Sequence, residues 1–267
     1  MMLNNYTNVS EDTLQAWVEQ FQRDGYLFLP AFLRSELIES LKADLDRELD
    51  SNVLTYTGVD DSNETMRLRV RLFEHSAANL SLFDMDPMAR FAELLIAPNC
   101  HVIHNNSFIT RPGGGITTWH QDDAPHYLVT QGEPPTNVQL PVLFFTANYY
   151  LTDVTERAYG GTEVIPGSHL FGAPSPKVME GTPYESQVVP CLGPAGSVVL
   201  FNNQVWHRGG PNQSDRVRYI TQVTYGRRII SPLYYPFMNY RMPEHVYKDA
   251  GPRLRRLLGF MDHGAYG

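Results

Sequence analysis

Apolar residues change their spacing about a third of the way along this chain. Between Ser10 and Asp24, Leu14, Trp17, Val18 and Phe21 recur at helical intervals and form one apolar face. Ser10 is placed to cap that helix, Glu11 and Asp12 suit its positive end, and Gly25 suits a left-handed exit. The run Tyr26-Leu27-Phe28-Leu29, stopped by Pro30, predicts a short strand. From Ser35 the helical spacing returns with Leu37, Ile38, Leu41, Leu45 and Leu49. Residues 51–65, rich in Ser, Asn, Thr, Gly and Asp, predict a loop, and Pro87–Ile96 a short helix with Met88, Phe91, Leu94 and Leu95 on its apolar side.

From Cys100 onward the period becomes two. Strands are predicted at His101–Thr110, Gln139–Leu151, Thr162–Ile165, Ser197–Phe201 and Arg218–Tyr225, with Gly- and Pro-rich turns such as 112–115, 193–196 and 209–211 between them. Short strands punctuated in this way predict a mainly β fold, a double sheet or barrel, with the helices of the N-terminal third packed outside. One domain over 1–267 is expected: a helical part at about 10–97, a β core at about 100–228 and a tail over 229–267. The tail mixes aromatics with Arg253, Arg255 and Arg256, which suits a surface wrap or a dimer contact and leaves the oligomeric state open.

Composition narrows the function. Hydrophobic residues make up 42% and charged ones 19%, enough to bury a core. The net charge of −8 argues against a nucleic-acid partner, which needs a basic face. Cys100 and Cys191 are too few for a disulfide framework, so the reducing cytoplasm is the expected location. The first residues lack a basic stretch followed by an apolar run, and no stretch approaches the ~18 apolar residues of a span, so neither signal peptide nor membrane helix is expected. Aromatics at 12% suit a lined pocket for a small-molecule substrate as well as a β core.

The candidate chemistry lies in Trp119-His120-Gln121-Asp122, read with His207. A His and an Asp two apart share one side of an extended segment. A second His closing on them makes two imidazoles and one carboxylate on one side of a metal, the facial triad of non-heme iron oxygenases. Arg218 offers a planar, always-charged fork suited to a carboxylate, and Arg216 shares its strand parity as a competitor. Gln222 shares that parity too and is a candidate substrate contact. His101, His104 and His126 are expected to be structural or surface histidines, and His169 to stabilise a turn. The irregular stretch Ala124–Leu140, directly after Asp122, is a candidate lid.

Three further segments give the chain a family likeness. Gly160-Gly161-Thr162-Glu163-Val164-Ile165-Pro166-Gly167-Ser168-His169 resembles the Gly-x-x-x-x-x-Pro-Gly-Ser-His signature of the phytanoyl-CoA dioxygenase family. Trp206-His207-Arg208-Gly209-Gly210-Pro211-Asn212 resembles that family's distal-histidine segment, and Asp24-Gly25-Tyr26 its opening. The resemblance implies a double-stranded β-helix (jelly roll, cupin-like), Fe(II), 2-oxoglutarate as co-substrate and O2 as oxidant. It implies His120, Asp122 and His207 as iron ligands and Arg218, eleven residues past the distal histidine, as the anchor of 2-oxoglutarate. Asn148 falls where relatives place a polar or aromatic residue near the co-substrate. Related halogenases carry a small residue in place of the carboxylate, so Asp122 favours hydroxylation of a small or mid-sized metabolite. The rival expectation is a metal-binding β-barrel, an isomerase or a binding module, which would keep the three ligands without needing Arg218.

Overall fold

The computed structural model describes residues 4–51, 65–234 and 237–261, with side chains from 48 to 51 left aside. Helix α1 (Glu11–Asp24) begins at Ser10, whose hydroxyl accepts from the Thr13 N–H, and ends at Gly25 with φ of 76°. A Cβ at Gly25 would sit 2.5 Å from Nδ1 of His169, so both the left-handed turn and the close approach require glycine. Strand β1 (Tyr26–Leu29) and helix α2 (Ser35–Ser51) follow as the pattern predicts. Most of the loop expected over 51–65 lies outside the described residues. Strand β2 (Met66–Val70) is absent from the predicted set, because Met66, Leu68 and Val70 alternate with arginines over too short a run to stand out. Helices α3 (Ala77–Ser81) and α4 (Met88–Leu95) complete the N-terminal third.

Strand β3 (His101–Thr110) matches its prediction. Strand β4 (Phe144–Tyr150) starts later than the predicted Gln139, since Pro141 has no N–H to donate to a central ladder. Then come β5 (Thr162–Val164), β6 (Val189–Pro190), β7 (Val198–Asn202), β8 (His207–Gly209) and β9 (Arg218–Gly226). The very short β6 and β8 are strands that periodicity does not reveal.

Six strands form one antiparallel sheet in the order β1-β7-β4-β9-β3-β2. A smaller sheet, β6-β5-β8, is extended by an antiparallel bridge between His120 and His207. Val164 of β5 packs with Tyr150, Val199, Phe201 and Ile220 of the large sheet, so the two sheets face one another as a double-stranded β-helix. The expected boundary between a helical part and a β core is not respected by the sheet. Both of its edge strands, β1 and β2, come from the N-terminal third and cover edges that would otherwise expose unpaired backbone.

The large sheet has two unlike faces. On the outer face, Phe145, Ala147, Tyr149, Val198, Leu200, Val223 and Tyr225 pack against Leu14, Phe21 and Phe91 of the helices in the main apolar core. Phe145 is fully buried, with ring centroids 5.6 Å from Phe21, 5.5 Å from Phe91 and 5.4 Å from Tyr225. The tail wraps this helical side through α5 (Glu244–Tyr247) and α6 (Pro252–Leu257), burying Val246, Leu257 and Leu258. Arg253 fastens it with bonds to Asp86 and Glu93. Among the described residues no helix is long and apolar enough to cross a membrane.

Candidate metal centre

The inner face of the large sheet lines a cavity of about 340 Å3, and the three expected ligands meet at its wall. His120 is bridged to β8 of the small sheet, and Asp122 is held by the turn after β7. The His120 N–H donates to the His207 carbonyl (3.0 Å), the His207 N–H returns to the His120 carbonyl (2.9 Å), and the Asp122 N–H donates to the Asn203 carbonyl (2.8 Å). Asp122 Oδ1 then lies 3.4 Å from His207 Nε2 and 3.7 Å from His120 Nε2. All three ligand atoms fall within 4.8 Å of one another.

Both imidazoles are held in the same way. Nδ1 of His120 faces the Thr118 carbonyl and Nδ1 of His207 the Val205 carbonyl, each at 2.9 Å and two residues back in the chain. A carbonyl can only accept, so each Nδ1 carries a proton and each Nε2 is the ring nitrogen turned to the centre. Burial tends to raise the Asp122 carboxyl, but the neighbouring His207 outweighs it and holds the group below the usual carboxylate range. Burial, helped by His207, pushes His120 down. Asp122 in turn pushes His207 up, so a divalent cation would take the place of a proton on His207, while the charged carboxylate and the readily neutral His120 are already in the form a cation needs. The donor set, two nitrogens and one oxygen on one side, fits Fe(II) with open positions left over.

The turn motifs brace this arrangement. The Gly167 N–H donates to the Asp24 carbonyl (2.8 Å), and His169 Nε2 bonds the Gln22 carbonyl (3.0 Å). The Ser168 hydroxyl accepts from the Trp206 N–H (2.7 Å), next to His207. The Pro-Gly-Ser-His and Asp-Gly-Tyr segments are therefore one docked unit behind the distal ligand. Trp119 and Trp206, each one residue before a histidine ligand candidate, point the opposite way into a small apolar cluster with Ile165 and Met179. His169 is the turn residue expected, and His101 likewise holds backbone carbonyls of Arg227 and Ile230.

Residues 21–220 match the phytanoyl-CoA dioxygenase (PhyH) family. The chain belongs to that family. It is 25% identical over 253 residues to Dioxygenase trt7 of Aspergillus terreus, covering 91% of this chain and 82% of the relative. Over 101 residues it is 36% identical to the iron/alpha-ketoglutarate-dependent dioxygenase ausU of Aspergillus calidoustus, covering 38% of this chain and 30% of that one. The fold is similar to HygX from Streptomyces hygroscopicus, solved with nickel and 2-oxoglutarate bound, with a TM-score of 0.65 and 17% identity over 85% of this chain and 91% of that chain. This PhyH-family protein is an Fe(II)- and 2-oxoglutarate-dependent oxygenase, which sets aside the non-oxygenase barrel.

In the same cavity this oxygenase buries Arg218, 6% exposed. Its Nη1 donates to the Gly210 carbonyl (3.2 Å), its Nη2 to the Thr110 hydroxyl (3.3 Å), and its Nε has no partner. No carboxylate among the described residues pairs with it, and burial lowers the guanidinium to about 10. A Cβ at Gly160, where φ is 74°, would lie 2.5 Å from Nη1, so the glycine gives the guanidinium its room. Arg216, the competing candidate, lies before β9 and stacks over the Tyr159 ring at 5.1 Å. Asn148 lines the same cavity, donates to the Thr162 hydroxyl (2.9 Å) and leaves its Oδ1 without a partner. Gln222 also lines it, directly opposite Asn148 on one side and Asn106 on the other.

Two expectations need correction or limit. His104 is neither a surface nor a purely structural histidine: it lines the cavity, with burial lowering it to about 4 despite the charge on Asp122. Parity along β3 carries the signal that would have found it, because His104, Asn106, Phe108 and Thr110 share one face. The stretch 124–140 is irregular, as expected, but none of it lines the cavity. Its first part is tied down: the His126 N–H donates to Gln204 Oε1 (2.8 Å) and the Val129 N–H to the Gly172 carbonyl (2.9 Å).

Proposed function

We propose that His120, Asp122 and His207 hold the iron, that Arg218 grips the far carboxylate of 2-oxoglutarate, and that Asn148 contacts the co-substrate beside it. The observation that carries this reading is the lone guanidinium. A buried cation with no carboxylate near it is costly, and one unpartnered N–H makes it costlier. A dianionic co-substrate whose other end reaches the triad in the same cavity removes that cost.

Bound iron and 2-oxoglutarate supply the oxidising power for attack on a C–H bond, with O2 consumed and succinate and CO2 released. The chain's part is to orient. The two carbonyl-held imidazoles and Asp122 fix one side of the metal, Arg218 sets the direction of the co-substrate, and Phe201 and Ile220 keep the inner wall dry. The reaction we propose is hydroxylation of a small or mid-sized metabolite, with Gln222 as a substrate contact. The whole chain, 1–267, acts as one catalytic domain. We place it in the cytoplasm, with no nucleic-acid partner, on its two free buried thiols and its net charge of −8.

The test is binding without oxygen followed by turnover. Fe(II) and 2-oxoglutarate should bind together to the wild type, and Asp122→Ala should lose the metal and all succinate formation across a metabolite screen. Full turnover by Asp122→Ala would end the ligand assignment.

A further inference from the structure

Beyond the iron centre the cavity continues into a groove of about 220 Å3, with His104, Asn106 and Leu233 shared between the two. The groove is walled by Leu68 and Val70 of β2 on one side and by Tyr234 and Phe237 on the other. Register explains its character. One row of the inner face runs Val70, Asn106, Gln222, Asn148, Val199 across five strands, polar in the middle and apolar at the ends. The next row toward β2 puts Leu68 beside Phe108.

Charge is absent from this arm in usable form. Of the cations lining cavity and groove, Arg208 is paired with Glu163 at 2.6 Å, and Arg71 has its charge balanced by Glu74 at 3.3 Å and its plane near the Tyr240 ring at 5.3 Å, although its Nε has no partner. Arg218 is the co-substrate anchor in the reading above. What remains is neutral: Asn106 Nδ2 lies 3.4 Å from His104 Nδ1, and Asn106 Oδ1, on a residue 8% exposed, has no partner. With the amide donating, Nδ1 accepts, so His104 Nε2 is left as a donor and Asn106 Oδ1 as an acceptor. Exchanging the roles of the two side chains still leaves one donor and one acceptor. A hydroxyl, which both gives and takes a hydrogen bond, is the group that satisfies such a pair.

We propose that the substrate is an uncharged, largely apolar molecule bearing a hydroxyl, its body in the groove between β2 and the side chains of Tyr234 and Phe237 and its hydroxyl read by His104 and Asn106. An acyl-CoA thioester fits less well, because among the described residues lining cavity and groove its phosphates would meet no cation free of a carboxylate other than Arg218. The assignment of Arg218 rests on the iron-centre reading; the apolar walls and the neutral pair do not.

The probes are a saturated fused-tricyclic alcohol, its hydrocarbon parent, the matching carboxylate and the CoA thioester of that carboxylate. Each is titrated by ligand-observed NMR into the protein with Fe(II) and 2-oxoglutarate in the absence of O2, and again without both. The alcohol should bind about tenfold more tightly than the hydrocarbon, or about 1.4 kcal/mol, the worth of one well-placed hydrogen bond. Carboxylate and thioester should bind at least about tenfold more weakly than the alcohol. Asn106→Leu should erase the preference for alcohol while keeping the hydrocarbon, and His104→Gln, which retains a donor and an acceptor, should keep it. A carboxylate or thioester that binds as tightly as the alcohol overturns the proposal, as does an undiminished alcohol preference in Asn106→Leu. Failure of the wild type to bind Fe(II) and 2-oxoglutarate strikes the iron-centre reading instead, and the titration without them still decides the substrate class.

Discussion

The outer and inner faces of the large sheet are made by alternate residues of the same strands, yet they do opposite things. On β9, Val223 and Tyr225 face the helices and bury apolar area, while Arg218 and Gln222 face the cavity and bury polar groups whose hydrogen bonding the fold leaves incomplete or open to a ligand. On β4 the same division separates Phe145 and Tyr149 from Thr146 and Asn148. The outer face stabilises the protein and does not line the cavity, although the Tyr149 hydroxyl buried there has no hydrogen-bond partner. The inner face contributes less to stability and carries the chemistry, since a buried polar group without a partner costs free energy until a ligand supplies one.

The sharpest way to break this division is at Phe145. Phe145→Ala should cost about 3–5 kcal/mol in a denaturant melt, because three rings close around it. Its affinity for 2-oxoglutarate, measured below the melting transition, should not change. A large change in that affinity would show that the two faces are coupled.

The mirror experiment is Arg218→Lys. It keeps the charge and loses the fork, so 2-oxoglutarate should bind about 10- to 100-fold more weakly, about 1.5–3 kcal/mol, with stability held. Equilibrium titration and a melt on the same sample read both. If Arg216→Lys shows the loss and Arg218→Lys does not, the two arginines exchange roles.

A smaller effect is expected from pH. His104 titrates at about 4 in the fold, below the ~6.5 of an unfolded chain, so folding favours its neutral form. Its contribution is complete above pH ~6.5 and is lost as pH falls from there toward ~4, amounting to about 1–3 kcal/mol. His104→Gln should flatten that acid limb of the stability curve. An unchanged limb would assign it to other groups.

The smallest effect is expected at 124–140. Because Gln204 and Gly172 already hold its first part and none of it lines the cavity, hydrogen exchange there should be the same with and without Fe(II) and 2-oxoglutarate. Protection gained on adding them would restore the stretch as a lid.

Much of this was legible in the chain. Periodicity placed α1, β1 and β3, because an amphipathic face repeats locally whatever it packs against. The spacing of His120 and Asp122 and the turn motifs pointed to the triad and its family, since these are local signals. Strand parity put Gln222 on the face of Arg218, and both line the cavity. Other features depended on contacts between distant segments. Strands β2, β6 and β8 are too short to show a period and exist because a neighbouring ladder pairs them. His104 looked like an ordinary histidine until the register set it beside the centre. Arg218 and Arg216 have equal parity, and only the fold separates their surroundings: Arg218 is on β9 with room beside Gly160, while Arg216 lies before the strand and stacks over Tyr159. By itself the sequence determined the elements and the ligand types, which are properties of neighbours along the chain. Only the tertiary structure decided which face closes into a core and which opens into a cavity, because that depends on what lies across from each residue.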